Sequence, residues 1–147
     1  MILYTIGFTQ KSAERFFGLL ESSQVVRVID IRLNPGGQLA GFAKQTDLKW
    51  FLERLSGIGY VYQPELAPTA EIMEGFRSGR SWDAYAARFE ALLDERRIPE
   101  SLDRSLFDPG PACLLCSEDK PQHCHRRLVA ERIAAAWGDV EIRHLGA

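Results

Sequence analysis

No run in the sequence approaches the roughly 18 apolar residues that a membrane-spanning helix requires. The opening Met-Ile-Leu-Tyr-Thr-Ile-Gly has no basic stretch ahead of an apolar one, so no secretion signal is expected there. Cysteine is scarce, with three in 147 residues. An odd count without a secretion signal argues against a disulfide framework and for a reducing, cytoplasmic setting. Excess charge is missing too: the net charge is -2 and the pI about 5.9. That argues against a membrane-surface protein and against extended nucleic-acid binding. Lysine is rare, 4 against 14 arginines. GC-rich codon usage accounts for such a bias, although arginine is also the better fork for phosphate or carboxylate. Internal repeats and low-complexity segments are absent. The 46% of hydrophobic residues is enough to build one cored domain over 1–147 rather than a disordered chain.

Short β-rich runs alternate with helical patterns. ILYTIG (2–7), VVRVIDI (25–31), YVYQ (60–63), ACLLCS (112–117) and VEIRHL (140–145) read as strands. Between them, Ser12, Thr46, Thr69 and Ser81 stand as caps before apolar residues at helical spacing, and a last helix is expected from about His123 to Trp137. The stripe after Thr46 comprises Leu48, Phe51, Leu52 and Leu55. The aromatic stripe of Trp82, Tyr85 and Phe89 reads as core. This alternation predicts an α/β fold, a mostly parallel sheet of about five strands flanked by helices on both faces. One connection is long, RLNPGGQLAGFAKQ at 32–45, and loops of that length are often functional.

In an open parallel sheet, ligands bind beyond the carboxyl ends of the strands. The residues at those ends are polar and chemically capable: Gly7-Phe8-Thr9, then Asp30 and Arg32, then Gln63 and Glu65, then Cys116, Ser117 and Glu118. Cys113 and Cys116 have C-x-x-C spacing, but in a strand they face opposite sides, so Cys113 reads as a small buried hydrophobe. Cys124 and His125 fall at the opening of the last helix, where free N–H groups lower a thiol pKa and attract anions. His125, Arg126 and Arg127 crowd that first turn, which ordinarily prefers acids. Two readings of this fit equally: an anion binds there, or Arg126 pairs with Glu118, Asp119 or Asp30 and ties the loop down.

YTIGFT at the start, DIRLNPGGQLAGF at 30–42, LAPT at 66–69 and LLCSEDKPQHCHRR at 114–127 resemble the DUF488 family over nearly the whole chain. Cys116, Glu118, Cys124, His125 and Arg126 match its C-x-E…C-H-R signature, and Asp30 and Arg32 its D-x-R. The resemblance implies an α/β fold and a site, with Gln38 and Phe42 of the long loop among the substrate-binding residues. It implies no established reaction. Gly37 stands near where many relatives carry serine, and Phe8 where a polar residue is common. The layout of a D-x-R and a strand-ending cysteine is also similar to rhodanese-like sulfurtransferases. There the loop N–H groups surround a thiolate, whereas Glu118, Asp119 and Pro121 would here oppose one.

Three functions follow as expectations. The first is an enzyme with Cys116 or Cys124 as nucleophile, His125 as general base or acid and Glu118 as orienter or second proton carrier. Arg126 and Arg32, the latter fixed by Asp30, would hold an anionic or nucleotide-like substrate. The second is a metal site of Cys116, Cys124 and His125 with His123 or Glu118, disfavoured because adjacent Cys124 and His125 cannot easily share one ion. No metal ligand is therefore assigned, and no cofactor. The third is a non-catalytic module binding a phosphate or nucleic-acid end through Arg32, Arg126 and Arg127.

Overall fold

The structure is a computed structural model and describes residues 1–37 and 41–146. A strand without a polar side chain must lie inside a sheet covered on both faces. Ala112–Cys116 is such a strand, buried at every residue. The strands are β1 (Ile2–Gly7), β2 (Arg27–Asp30), β3 (Gly59–Tyr62), β4 (Ala112–Cys116) and β5 (Glu141–His144). They form one sheet in the order β3-β2-β4-β1-β5, and every pairing is parallel. The fold is therefore α/β as expected, with β4 at the centre.

The helices are α1 (Ala13–Ser22), α2 (Gln45–Phe51), α3 (Ala70–Arg77), α4 (Trp82–Glu95) and α5 (His125–Trp137). Phe16 and Leu20 of α1 and Leu48 of α2 cover one face, against Tyr4, Ile6, Val28 and Cys113. On the other face Phe89 and Leu93 of α4 and Val129 and Ile133 of α5 pack on Leu3, Ile29 and Leu114. Neighbouring strand residues thus point into different cores, and Cys113 is buried away from Cys116 and the last helix, as the alternation predicts.

Three of the four expected caps hold: Ser12, Thr69 and Ser81 accept from the N–H groups of Arg15, Ile72 and Ala84 at 3.1, 3.2 and 3.1 Å. Thr46 does not. The helix begins two residues earlier behind Lys44, and Gln45 instead donates its N–H to the Pro35 carbonyl at 2.8 Å. The turn at Pro35 supplies the partner that a cap would have given. Leu55, expected in the buried stripe, is 67% exposed. After Phe51 the helix loosens into a π-turn, Leu52–Ser56, whose wider turn rotates Leu55 off the buried line. The last helix starts at His125, so His123 lies in the preceding turn and Cys124 is the N-cap.

Candidate active site

Because β4 lies between β1 and β2, three strand ends converge on one edge, with Gly7 level with Cys116 and Asp30 level with Leu115. The chain then returns through 117–124 to α5. Thr9 holds the start of that loop, its N–H and hydroxyl both donating to the Ser117 carbonyl at 3.1 and 2.8 Å. Arg126, fully buried, holds the middle. Its Nε donates to Thr5 Oγ1 at 3.1 Å, one Nη to the Asp119 carbonyl at 3.0 Å, and the other to the Glu118 carbonyl. Lys11 pairs with the Asp119 carboxylate at 2.6 Å. Gly7 makes this path possible: a Cβ there would lie 1.6 Å from the Glu118 carbonyl oxygen.

On this frame Cys116 Sγ lies 3.4 Å from His125 Nδ1, while His125 Nε2 lies 2.7 Å from the Ile31 carbonyl oxygen. A carbonyl only accepts, so Nε2 carries the hydrogen, and the sulfur, 3.8 Å from Nε2 as well, lies beside both ring nitrogens rather than in line with the Nδ1 lone pair. Burial opposes ionisation of Cys116. It is outweighed by the neighbouring Cys124 thiol, the backbone N–H of Ser117, the charge of Arg126 and the backbone N–H of Glu118, so the Cys116 pKa is lowered. Cys124 moves the other way, raised well above the ordinary thiol value by its bond to Cys116 and by burial. The hydrogen-bond partners of Arg126 among the described residues include no carboxylate. Thiolate charge at Cys116 is thus the natural complement of a buried cation. The acids expected to oppose a thiolate do not crowd it: Asp119 is drawn off to Lys11 and Glu118 is exposed. The backbone N–H groups of the loop meet the sulfur instead.

A lowered thiol pKa makes stability depend on pH. Between the folded value and the ordinary thiol value of 9.0, the unfolded chain holds more protons at this sulfur than the folded one. Stability from Cys116 therefore rises with pH up to that ordinary value and is lost as pH falls through the folded one. Cys124, with a raised pKa, has the opposite sign, and its contribution declines only above its ordinary 9.0. The expected outcome is that the stability difference between wild type and Cys116→Ser, read by urea unfolding, grows as pH rises toward the ordinary thiol value. A difference that stays flat would overturn the thiolate assignment.

A cavity of about 170 Å³ opens over Cys116, Cys124 and His125, walled by Met73, Phe76 and Tyr85, with exposed Arg77 at its rim. Burial raises the Tyr85 phenol pKa, helped by the charges of Cys116, Cys124 and Glu118. Arg32, Leu33, Asn34 and Gly37 bring the long loop to the same cavity. The Arg32 guanidinium is engaged by the protein itself: Nε and Nη2 donate to the two Asp30 oxygens at 2.9 and 2.8 Å, and Nη1 to the Ala43 carbonyl at 2.7 Å. Tyr60 donates to the same Asp30 carboxylate at 2.6 Å. Arg126 is engaged in the same way, so neither guanidinium presents an open fork. Arg127 turns outward to the Gln122 carbonyl and Glu131. Phe42 packs against Phe16 and Phe17 with ring centroids 5.4 and 5.9 Å away, on the α1 side. Gln38 lies outside the described residues.

The geometry revises the argument from adjacency. The ligand atoms of Cys116, Cys124 and His125 all lie within 4.8 Å of one another, close enough to hold one soft divalent ion. His123 does not join them and stacks on Trp82 with centroids 5.2 Å apart. Against a cation stands Arg126, whose positive charge already acts on the Cys116 sulfur. Met73, Phe76 and Tyr85 were not among the expected site residues. Their helical spacing is that of core positions, and a cavity wall has the same spacing.

No curated protein and no solved structure matches this chain. The family model described as domain of unknown function DUF488 matches residues 12–133. That stretch carries both the D-x-R pair and the whole Cys/His cluster, and the chain belongs to the DUF488 family.

Proposed function

We propose that this DUF488 protein is an enzyme that uses Cys116 as a nucleophile on a small substrate. The observation that carries the reading is the contact of 3.4 Å between Cys116 Sγ and His125 Nδ1 at the floor of a cavity, with the other ring nitrogen held by the Ile31 carbonyl. In this role the His125 ring turns its Nδ1 lone pair onto the sulfur, takes the thiol proton and returns it to the leaving group. The N–H groups of Ser117 and Glu118 and the charge of Arg126 favour the thiolate. The carboxylate of Glu118, exposed beside the cavity, acts as a second proton carrier.

Size bounds the substrate. A cavity of about 150 Å³ is known to hold benzene, so the volume here suits a single ring or a group of that size as the part of the substrate that reaches Cys116. Arg32 and Arg126 serve as positioning residues, because their donors already have protein partners. Rim-standing Arg77 is the cation that meets an anionic substrate group. The non-catalytic anion module is the weaker reading, since two of the three forks it needs are occupied.

The test is the alkylation rate of each cysteine against pH, read by peptide mass spectrometry with and without a chelator. Cys116 is expected to react with an apparent pKa below the free-thiol value of about 8.5, with Cys113 and Cys124 slow and the chelator without effect. In His125→Gln the Cys116 profile moves to higher pH. A Cys116 that titrates at or above the free-thiol value sinks the proposal, and reactivity that appears only with chelator transfers the site to a metal.

A further inference from the structure

We propose that Cys116 and Cys124 are a two-electron redox pair that reduces a small hydroperoxide and is returned to the dithiol by a second thiol compound. The inference rests on Cys116 being the reactive thiol, and adds a specific partner for it. The two sulfurs lie within 4.8 Å of each other, although seven residues separate them along the chain. Both line the cavity, so an oxidant that reaches one reaches the other. Cys113 is buried in the opposite core and does not compete.

The position of Cys124 is the second observation. An N-cap residue ordinarily turns its side chain to accept from the first N–H groups of the helix. Cys124 has the extended backbone of an N-cap, but its side chain makes no cap bond. Its sulfur lies within 4.8 Å of the Cys116 sulfur instead. Helix capping therefore does not account for a cysteine here, and its side chain can reorient without breaking a bond to the helix. Loop 117–124 is meanwhile pinned by Thr9, Lys11 and Arg126, which keeps the sulfurs close. A disulfide asks them to approach to about 2.05 Å.

The steps balance. The Cys116 thiolate attacks one peroxide oxygen and the O–O bond breaks. The sulfur is oxidised to the sulfenic acid, and the other oxygen leaves, taking a proton, as water or an alcohol. Cys124 then attacks the Cys116 sulfur and the S–O bond breaks. The hydroxyl leaves as water with the Cys124 proton, and the disulfide remains. A small dithiol returns the pair by exchange through a mixed disulfide, and is itself oxidised.

The test treats reduced wild-type protein with a slight molar excess of hydrogen peroxide and maps the products by mass spectrometry. A chain lighter by two hydrogens, with the Cys116 and Cys124 peptides linked and the link reversed by dithiothreitol, is expected. Cys124→Ser is expected to gain oxygen at Cys116 and form no link. If wild-type Cys116 instead accumulates as sulfinic acid without a link, the pair is refuted while the nucleophile reading stands. If peroxide leaves Cys116 unoxidised although alkylation finds it reactive, the pair is again refuted alone. Failure of Cys116 in both assays refutes both.

Discussion

Gly7→Ala is expected to lose about 3–5 kcal/mol of stability and to return Cys116 toward an ordinary thiol. The added Cβ falls 1.6 Å from the Glu118 carbonyl oxygen and 2.5 Å from its carbonyl carbon. These are backbone atoms, so no rotamer change relieves the clash and loop 117–119 has to move. Overpacking of this kind costs about 1–3 kcal/mol. Losing a hydrogen bond from a buried charged group, here Arg126 to the Glu118 carbonyl, costs about 1.5–3 kcal/mol. The same movement draws the Ser117 and Glu118 N–H groups off the sulfur. For a chain of this length each kcal/mol lowers Tm by roughly 2–4 °C, so the melting point should drop by about 10 °C. The alkylation profile should shift to higher pH in parallel. An alanine protein with wild-type melting and a wild-type profile would show that the loop does not depend on this close approach.

Asp30→Ala is expected to cost a similar amount, for a different reason. Asp30 is fully buried and Arg32 nearly so. The carboxylate accepts from the Arg32 side chain, from the Arg32 backbone N–H at 3.2 Å and from Tyr60. Removing it leaves a buried cation unpaired, which costs about 3–5 kcal/mol. Removing both charges is different, because apolar replacement of a whole buried pair is often neutral. Asp30→Ala combined with Arg32→Met should therefore recover most of the loss in urea unfolding. A double variant as unstable as Asp30→Ala alone would mean that Arg32 was not the injured partner.

Much of this architecture was legible in the sequence, for reasons that particular residues make plain. Strand β4 announces itself because Ala-Cys-Leu-Leu-Cys has no polar face, and Ser12, Thr69 and Ser81 because a hydroxyl before a helical stripe commonly caps it, although Thr46 shows that a backbone partner elsewhere can take that role. The rule that ligands gather beyond strand ends places Cys116, Glu118, Asp30 and Arg32 on one edge, and the cavity lined by Cys116, Glu118 and Arg32 opens there. What was not legible depends on groups that every residue carries. The carbonyls of Ala43, Glu118 and Asp119 that occupy Arg32 and Arg126 have no signature in a string of side chains. Nor do the N–H groups of Ser117 and Glu118, which is why Glu118 and Asp119 read as hostile to a thiolate. The strand order was also hidden, so nothing foretold that Gly7 would lie beside the Glu118 carbonyl.

The central place of β4 bears on when the surroundings of Cys116 are assembled. Strands β1 and β2 are synthesised first, yet neither pairs with the other in the finished sheet. Each has an edge filled by a segment that lies 109 and 85 residues further along the chain, as Leu3 and Arg27 both pair with Ala112, and contacts so distant along the chain form slowly. Cys116 therefore arrives on the piece that closes the sheet, and His125, Arg126 and Cys124 follow directly behind it. The neighbours of Cys116 are thus assembled only when β4 joins the two halves of the sheet.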